Sequence, residues 1–450
     1  MKRSAIFVSV FLISLIIGAF TLRWDDSRKE YAYDDFQSTK YCKSCHESFF
    51  QQWDQSMMAH AYDHHWDEIE YFELAVPHGE KVPELKEATE GCNGCHTPMA
   101  WVVGDIPPPR PEKNSRANES VSCEVCHLRN PGREIDDTSF NYDYTLLPGN
   151  TKYNSRQGKR TSPNHEIKVN ERFKKGEFCG TCHNEKSPFG VWVKSTVFEW
   201  KEGPYYEQGV QCQDCHMPRA KAKTAKMGAM YDDARLHLFN GAHDPGKLRG
   251  VIEIRIIPDI SEVVPGEPVI ITLSLYNQKT GHKFPTGSVE DRIVWLHVEA
   301  VDAGGKKYHL PVDKKGFEGE KYTIGSKELA YQDIGVPLGI DNFEGVERDG
   351  IPVGDRIFRM PFFDPEGRMT MMQWNTKSLG VDYRIGPRET IMETYTFNVP
   401  FDIEPGKLKI KAKMYYQLLV TPVAKLLKVP EEEYTPHLVN EAEYEIEILP

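Results

Sequence analysis

Cys42-Lys-Ser-Cys45-His46, Cys92-Asn-Gly-Cys95-His96, Cys123-Glu-Val-Cys126-His127, Cys179-Gly-Thr-Cys182-His183 and Cys212-Gln-Asp-Cys215-His216 are five copies of one five-residue pattern. They use all ten cysteines of the 450-residue chain. Two thiols three positions apart can reach the two vinyl groups on one porphyrin edge. The residue that follows can then turn its imidazole under the iron. A structural zinc site would need paired cysteines but gives no reason for a histidine after every second one. A thioredoxin-like motif occurs once per βαβ unit, and a disulfide framework would not enforce the histidine. With 16 histidines in 450 residues, five at those positions by chance has a probability on the order of 10⁻⁷ for this attachment template. The pattern therefore predicts five covalently bound haems c. Their thioethers would fall on Cys42, Cys45, Cys92, Cys95, Cys123, Cys126, Cys179, Cys182, Cys212 and Cys215. The proximal iron ligands would be His46, His96, His127, His183 and His216.

Working outward, five of the remaining eleven histidines can supply the sixth ligands. His60, His165, His237, His243 and His282 are the distal candidates. His60 stands in a tract with His64 and His65, where i, i+4 spacing puts His60 and His64 on one helix face. Met57 and Met58 are alternatives whose thioethers would raise a haem's potential.

Residues 25–246 show short helical patches, such as Glu47 to Glu73, between Pro-rich loops, the densest at Pro107 to Pro111. A segment so irregular needs the porphyrins themselves as its core. Trp101, Trp192 and Trp200 are expected against porphyrin edges. The composition changes near Leu248. Val251 to Ile257 alternates isoleucine with charge, and β-rich runs follow at Val269 to Leu275, Ile293 to Val301, Thr390 to Val399, Leu408 to Val420 and Tyr444 to Ile448. A short helix fits Val423 to Leu427. The expected fold is an irregular, mostly α multihaem domain over 25–246, followed by an all-β, immunoglobulin-like sandwich over 247–450.

At the N-terminus, Lys2 and Arg3 precede an apolar run from Ala5 to Phe20, which reads as an export signal, either cleaved or kept as a membrane anchor over 1–24. The chain is thus expected outside the cytoplasm, periplasmic or anchored on the far side of the membrane, with an extracellular place open to it. A net charge of −12 argues against nucleic acid as a partner. Arg219, Lys221, Lys223 and Lys226 form a basic stretch, read as a solvated loop rather than a docking patch.

Several stretches resemble multihaem c-type cytochromes of anaerobic respiring bacteria. They are Trp53-x-x-Ser56-Met-Met58, Phe178-Cys-Gly-Thr-Cys-His183, Gly209-Val-Gln-Cys212-Gln-Asp-Cys215-His-Met-Pro218 and Thr280-Gly-His-Lys-Phe-Pro-Thr-Gly287. The resemblance runs over roughly residues 40 to 300. It implies that the Gly281-His282-Lys-Phe-Pro-Thr-Gly287 stretch is a loop of the β-domain turned toward the haems, with His282 a ligand offered from there. It also implies electron transfer in exported respiratory transport. Partners would be redox proteins, a membrane quinol-linked donor among them, with an oligomer or haem filament also open. The alternative is an oxidoreductase that reduces a small nitrogen or sulfur compound at one five-coordinate haem. Pentahaem nitrite reductases usually carry Lys in place of one motif histidine and end in long helices. All five motifs here end in His, and this chain ends in strands. No catalytic residue is assigned. A third possibility is a β-domain that acts as a docking module.

Overall fold

The computed structural model describes residues 31–130, 139–158, 161–313 and 350–450. The export or anchor segment lies outside them. Among the described residues no helix is long and apolar enough to cross a membrane.

Residues 31–248 fold as short helices and small β-pairs. The longest helix, Thr39–Asp54, has 16 residues, and its backbone leaves helical geometry at His46 (φ −104°, ψ 38°). Helices Lys86–His96, Cys123–His127, Glu177–His183 and Cys212–His216 each end on a motif histidine. One helical turn brings the two cysteines of each motif to the same face, and the break at the histidine frees its ring to turn away. This region contains more sheet than its sequence pattern suggests. Thr151–Asn154 pairs in parallel with Glu166–Val169, and two hairpins form from Asn184–Lys186 with Trp192–Ser195 and Arg219–Lys223 with Met230–Arg235. The expected patch Glu47 to Glu73 is not one helix but is broken into helices Met57–His60 and His65–Ile69 and a wider turn at Glu70–Ala75.

The C-terminal half is built from β1 (Ile252–Pro258), β2 (Pro268–Asn277), β3 (Ile293–Val301), β4 (Lys307–His309), β5 (Arg356–Phe358), β6 (Thr390–Asn398), β7 (Gly406–Gln417) and β8 (His437–Ile448). One sheet has the order β6-β2-β1. The other runs β4-β3-β7-β8, with β5 also on β3 and the short strand Glu262–Val263 on the far edge. Alternation explains the packing. Leu408, Ile410, Ala412, Met414 and Tyr416 of β7 are buried, while Lys407, Lys409, Lys411 and Lys413 face out opposite Glu447, Glu445, Glu443 and Glu441 of β8. The inner faces of the two sheets share one core, with Ile254, Leu273 and Tyr395 from one and Leu296, Ile410 and Ile446 from the other. The helix expected near Val423 forms as Thr421–Leu427.

A second core crosses between the two halves. Trp66, Tyr71, Leu74 and Leu85 pack with Ile293, Trp295, Met371, Trp374, Leu419 and Val423. Each buried large apolar side chain contributes about 1.5–3 kcal/mol as an upper estimate, so this seam holds the halves together firmly. It carries polar ties too: the Ser187 hydroxyl donates to the Thr376 carbonyl (2.7 Å) and the Trp374 indole N–H donates to His78 Nδ1 (3.1 Å).

Candidate cofactor chamber

Between the halves lies one continuous cavity of about 3010 Å³, lined by all ten motif cysteines and all five motif histidines. A single small-molecule pocket holds roughly 300–1,000 Å³. This chamber is several such pockets fused. Within it the motifs crowd together. The thiols of Cys42 and Cys123 lie side by side, as do those of Cys95 with Cys182 and Cys179 with Cys212. Burial pushes the Cys92 thiol up to about 12 and that of Cys126 to about 11, so both are neutral at physiological pH. Gly94, inside the second motif, lies against the Tyr142 ring, where an added Cβ would come within 2.3 Å of it.

The imidazoles are held in a repeated way. The Nδ1–H of His46 donates to the Thr224 carbonyl (2.5 Å), that of His96 to Ala61 (2.7 Å), that of His127 to Tyr153 (2.6 Å) and that of His216 to Asn240 (2.9 Å). His165, His237 and His282 donate likewise to the carbonyls of Glu166, Arg235 and Lys283 (3.1, 3.1 and 2.9 Å). A bond from Nδ1 to a carbonyl fixes the ring and tautomer, leaving Nε2 as the basic ligand atom. Burial drives His183 and His216 down to about 4 and His237 to about 3, and lowers His127 and His282. All five are therefore neutral at physiological pH, the form that binds metal.

Six of these rings face each other in three pairs. His46 and His165 have centroids 6.2 Å apart at 31°, His127 and His237 6.2 Å at 21°, and His216 and His282 6.5 Å at 17°. A metal–imidazole bond is about 2 Å, and a ring centre lies roughly 1 Å beyond its nitrogen, so two imidazoles on one iron have centres about 6 Å apart. The residues present thus fit haem in both thiol chemistry and ring spacing.

The other candidates fall differently. His243 lines the chamber with Nε2 buried and lacking a hydrogen bond, its ring against His64 (5.1 Å) rather than a motif histidine. His60 must be corrected. Its Nε2 donates to the Asp54 carbonyl (2.9 Å) and its Nδ1 meets Asp63 (3.0 Å), so both nitrogens are used locally and outside the chamber. Among the described residues no imidazole ring pairs with His96 or His183. Met57 and Met58 line the chamber. Of the tryptophans, Trp200 lines it. Trp101 instead packs on Tyr142, and Trp192 on Phe140 and Phe198, as ordinary aromatic core. The basic stretch is largely spoken for: Arg219, Lys221 and Lys226 pair with Asp233, Asp232 and Glu47.

One element had no sequence signal. Glu199, buried on helix Thr196–Glu202, accepts from the Thr286 hydroxyl (2.6 Å), the Lys283 amide (3.3 Å) and the Arg384 guanidinium (2.6 Å). Arg384 also binds Asp382 (2.8 Å), which takes Lys283 (2.8 Å). This clamp fastens the loop carrying His282 to the haem-binding half. Glu199 lies 84 to 185 positions from the residues it holds, and neither Glu199 nor Arg384 belongs to a stretch that the sequence singles out.

Repeated thiol pairs and neutral imidazoles gathered around one chamber in this way are the arrangement a multihaem c-type cytochrome needs. More particularly, the family described as cytochrome c554 and c-prime matches residues 41–128 and 148–217. The whole fold is similar to the crystal structure of a penta-heme cytochrome c552 from Thermochromatium tepidum, at 19% identity and a TM-score of 0.59, over 92% of this chain and 99% of that one. The CARDB domain of a Pyrococcus furiosus protein shares 9% identity over 45% of this chain and 91% of its own, with a TM-score of 0.18. That likeness carries no weight for the fold. No curated protein sequence matches the chain.

Proposed function

We propose that the protein carries five haems c and relays electrons among them outside the cytoplasm, in anaerobic respiratory transport. The observation that supports this best is the three imidazole pairs spaced 6.2–6.5 Å apart inside one chamber. Haem iron supplies reversible one-electron chemistry. The chain's own residues supply the rest. The cysteines fix the spacing, with the first motif against the third, the second against the fourth, and the fourth against the fifth. Cys126 of the third motif lies near Cys179 and Cys182 of the fourth, so all five motifs adjoin, with the fourth as the junction. The backbone carbonyls on Nδ1 hold the imidazoles, and the apolar walls exclude water.

In this reading the β-domain, an immunoglobulin-like sandwich, closes one side of the chamber and offers His282. Donors and acceptors are redox proteins, a membrane quinol-linked donor among them. Export rests on the basic and apolar N-terminal segment and on the haem attachment motifs.

A second reading is favoured by one observation: among the described residues neither His96 nor His183 faces an imidazole. A five-coordinate haem at either place would allow reduction of a small nitrogen or sulfur compound. Low-temperature EPR with magnetic circular dichroism separates the readings. Exclusively low-spin haem supports the relay. A substantial high-spin signal, with turnover of nitrite, hydroxylamine or sulfite from a reduced viologen, would replace it with the enzyme.

A further inference from the structure

Away from the haem chamber, the outer face of the larger sheet carries a second group of ligand-type side chains. His297 lies in the middle of β3, His309 ends β4, and Asp355 immediately precedes β5. The topology brings them together. Strand β4 pairs with β3 at residues 299–301, and β5 pairs with β3 at residues 294–296. His297 therefore falls in the gap where one strand leaves β3 and the other joins it. All three are carried on or beside sheet backbone rather than on a long loop, which fixes their approach.

The Asp355 carboxylate is fully buried. It meets His297 Nδ1 through both oxygens (3.1 Å each) and His309 Nε2 through one (2.7 Å). One nitrogen from each imidazole and one carboxylate oxygen lie within 4.8 Å of one another. Ligand bonds to zinc are about 2.0–2.2 Å, so donor atoms sharing one ion sit roughly 3 Å apart. The two carboxylate–imidazole separations, 3.1 and 2.7 Å, match. The two rings are stacked, 5.3 Å apart and inclined by 7°. Both imidazoles thus present a nitrogen to the same carboxylate. Lys413, opposite His297 in the sheet, is turned to Glu441 (4.0 Å). Partial exposure of both histidines leaves a path for an ion and room for water.

We propose that His297, His309 and Asp355 bind one divalent transition-metal cation of the zinc type, separate from the haem irons. Two imidazoles and a carboxylate are the donor set such an ion takes, with water completing the shell. The ion would tie β4 and β5 to β3. That strand also carries Trp295 into the seam between the two halves, so the site braces the wall of the haem chamber from outside.

The test uses the full-length, haem-loaded protein dialysed against micromolar zinc, with zinc and iron counted by mass spectrometry of the metals. The expected result is one zinc per chain, or one per five irons. His309→Ala should lose that equivalent with its haem content intact. Asp355→Asn should do the same if it folds, and His309→Ala stands alone if it does not. Zinc should also raise the thermal midpoint of the parent and not that of His309→Ala. A competing triad of His64, His243 and Glu433 exists, so His64→Ala is the control. Zinc lost in His64→Ala and kept in His309→Ala would overturn the assignment, as would a parent protein that takes up no zinc.

Discussion

Replacing Glu199 with Gln tests how the β-domain loop is held over the fifth motif. The carboxylate is almost fully buried and its guanidinium partner, Arg384, equally so, so solvent screening does not discount the pair. Breaking a buried pair by removing one partner costs about 3–5 kcal/mol. Arg384 keeps Asp382 at 2.8 Å, and the amide oxygen of Gln can still accept from Thr286, so the loss should sit at the low end, about 3 kcal/mol. At about 2–4 °C per kcal/mol for a domain near 200 residues, the thermal midpoint should fall by about 6–12 °C. The assay is far-UV circular dichroism on the haem-loaded protein, read beside its EPR spectrum. A merely structural role would lower the midpoint and leave the spectrum alone. The clamp reasoning predicts both the lower midpoint and a loss of order in one low-spin signal, because His282 sits beside Lys283, whose amide Glu199 holds. An unchanged midpoint, or an intact spectrum in Glu199→Gln when His282→Ala loses a low-spin component, would refute it.

His165→Ala, His237→Ala and His282→Ala should each remove one low-spin component at unchanged haem content by pyridine haemochrome, while His60→Ala leaves the spectrum as it was. The Asp382 carboxyl is raised by burial, but the Arg384 and Lys283 cations outweigh this and bring it to about 2, against an ordinary value of about 3.9. A depressed folded-state value stabilises the protein above about pH 4, and the contribution is lost as pH falls toward 2. Unfolding midpoints measured from pH 5 to 2.5 should fall less steeply in Asp382→Asn. Trp295→Ala should cost about 3–5 kcal/mol, because its ring packs in the seam and stacks on Tyr415 at 5.3 Å; denaturant melts read on both the haem absorbance and the β-sheet signal should move together.

What the sequence revealed and what it hid divide along chain separation. Each Cys-x-x-Cys-His pattern is complete within five residues, and one helical turn is enough to arrange it, so the thiols and imidazoles that line the chamber were legible. Strand β7 was legible for the same reason: each Leu-Lys or Ile-Lys step states which face is which. The ring pairs are another matter. His165 meets His46 from 119 positions away and His282 meets His216 from 66, and nothing local marks which motif either ring meets. His60 misled because i, i+4 spacing assumes one continuous helix. Here the helix stops at His60 and restarts after His64, so local oxygen acceptors capture the ring instead. Trp101 and Trp192 could not be told from chamber-lining aromatics, because apolar rings serve a porphyrin edge and an aromatic core equally well. The seam was hidden likewise, since Trp66 and Trp374 look like core residues of their own halves.

The division of apolar packing explains why the two halves belong to one cofactor unit. The β-domain has an extensive core of its own, running through both sheets. Among its described residues the haem-binding half has only small private clusters, one around Phe36, Met99 and Leu128 and another around Tyr62, Ala100 and Ala117. Around a chamber of about 3010 Å³, so little side-chain packing could not offset the chain entropy of over 200 residues. The missing cohesion has to come from what fills the chamber and from the wall the β-domain presents. The Trp295 seam and the Glu199 clamp are therefore as much a part of haem binding as the cysteines. A substitution in either, far from any thiol, should be read first in the haem spectrum.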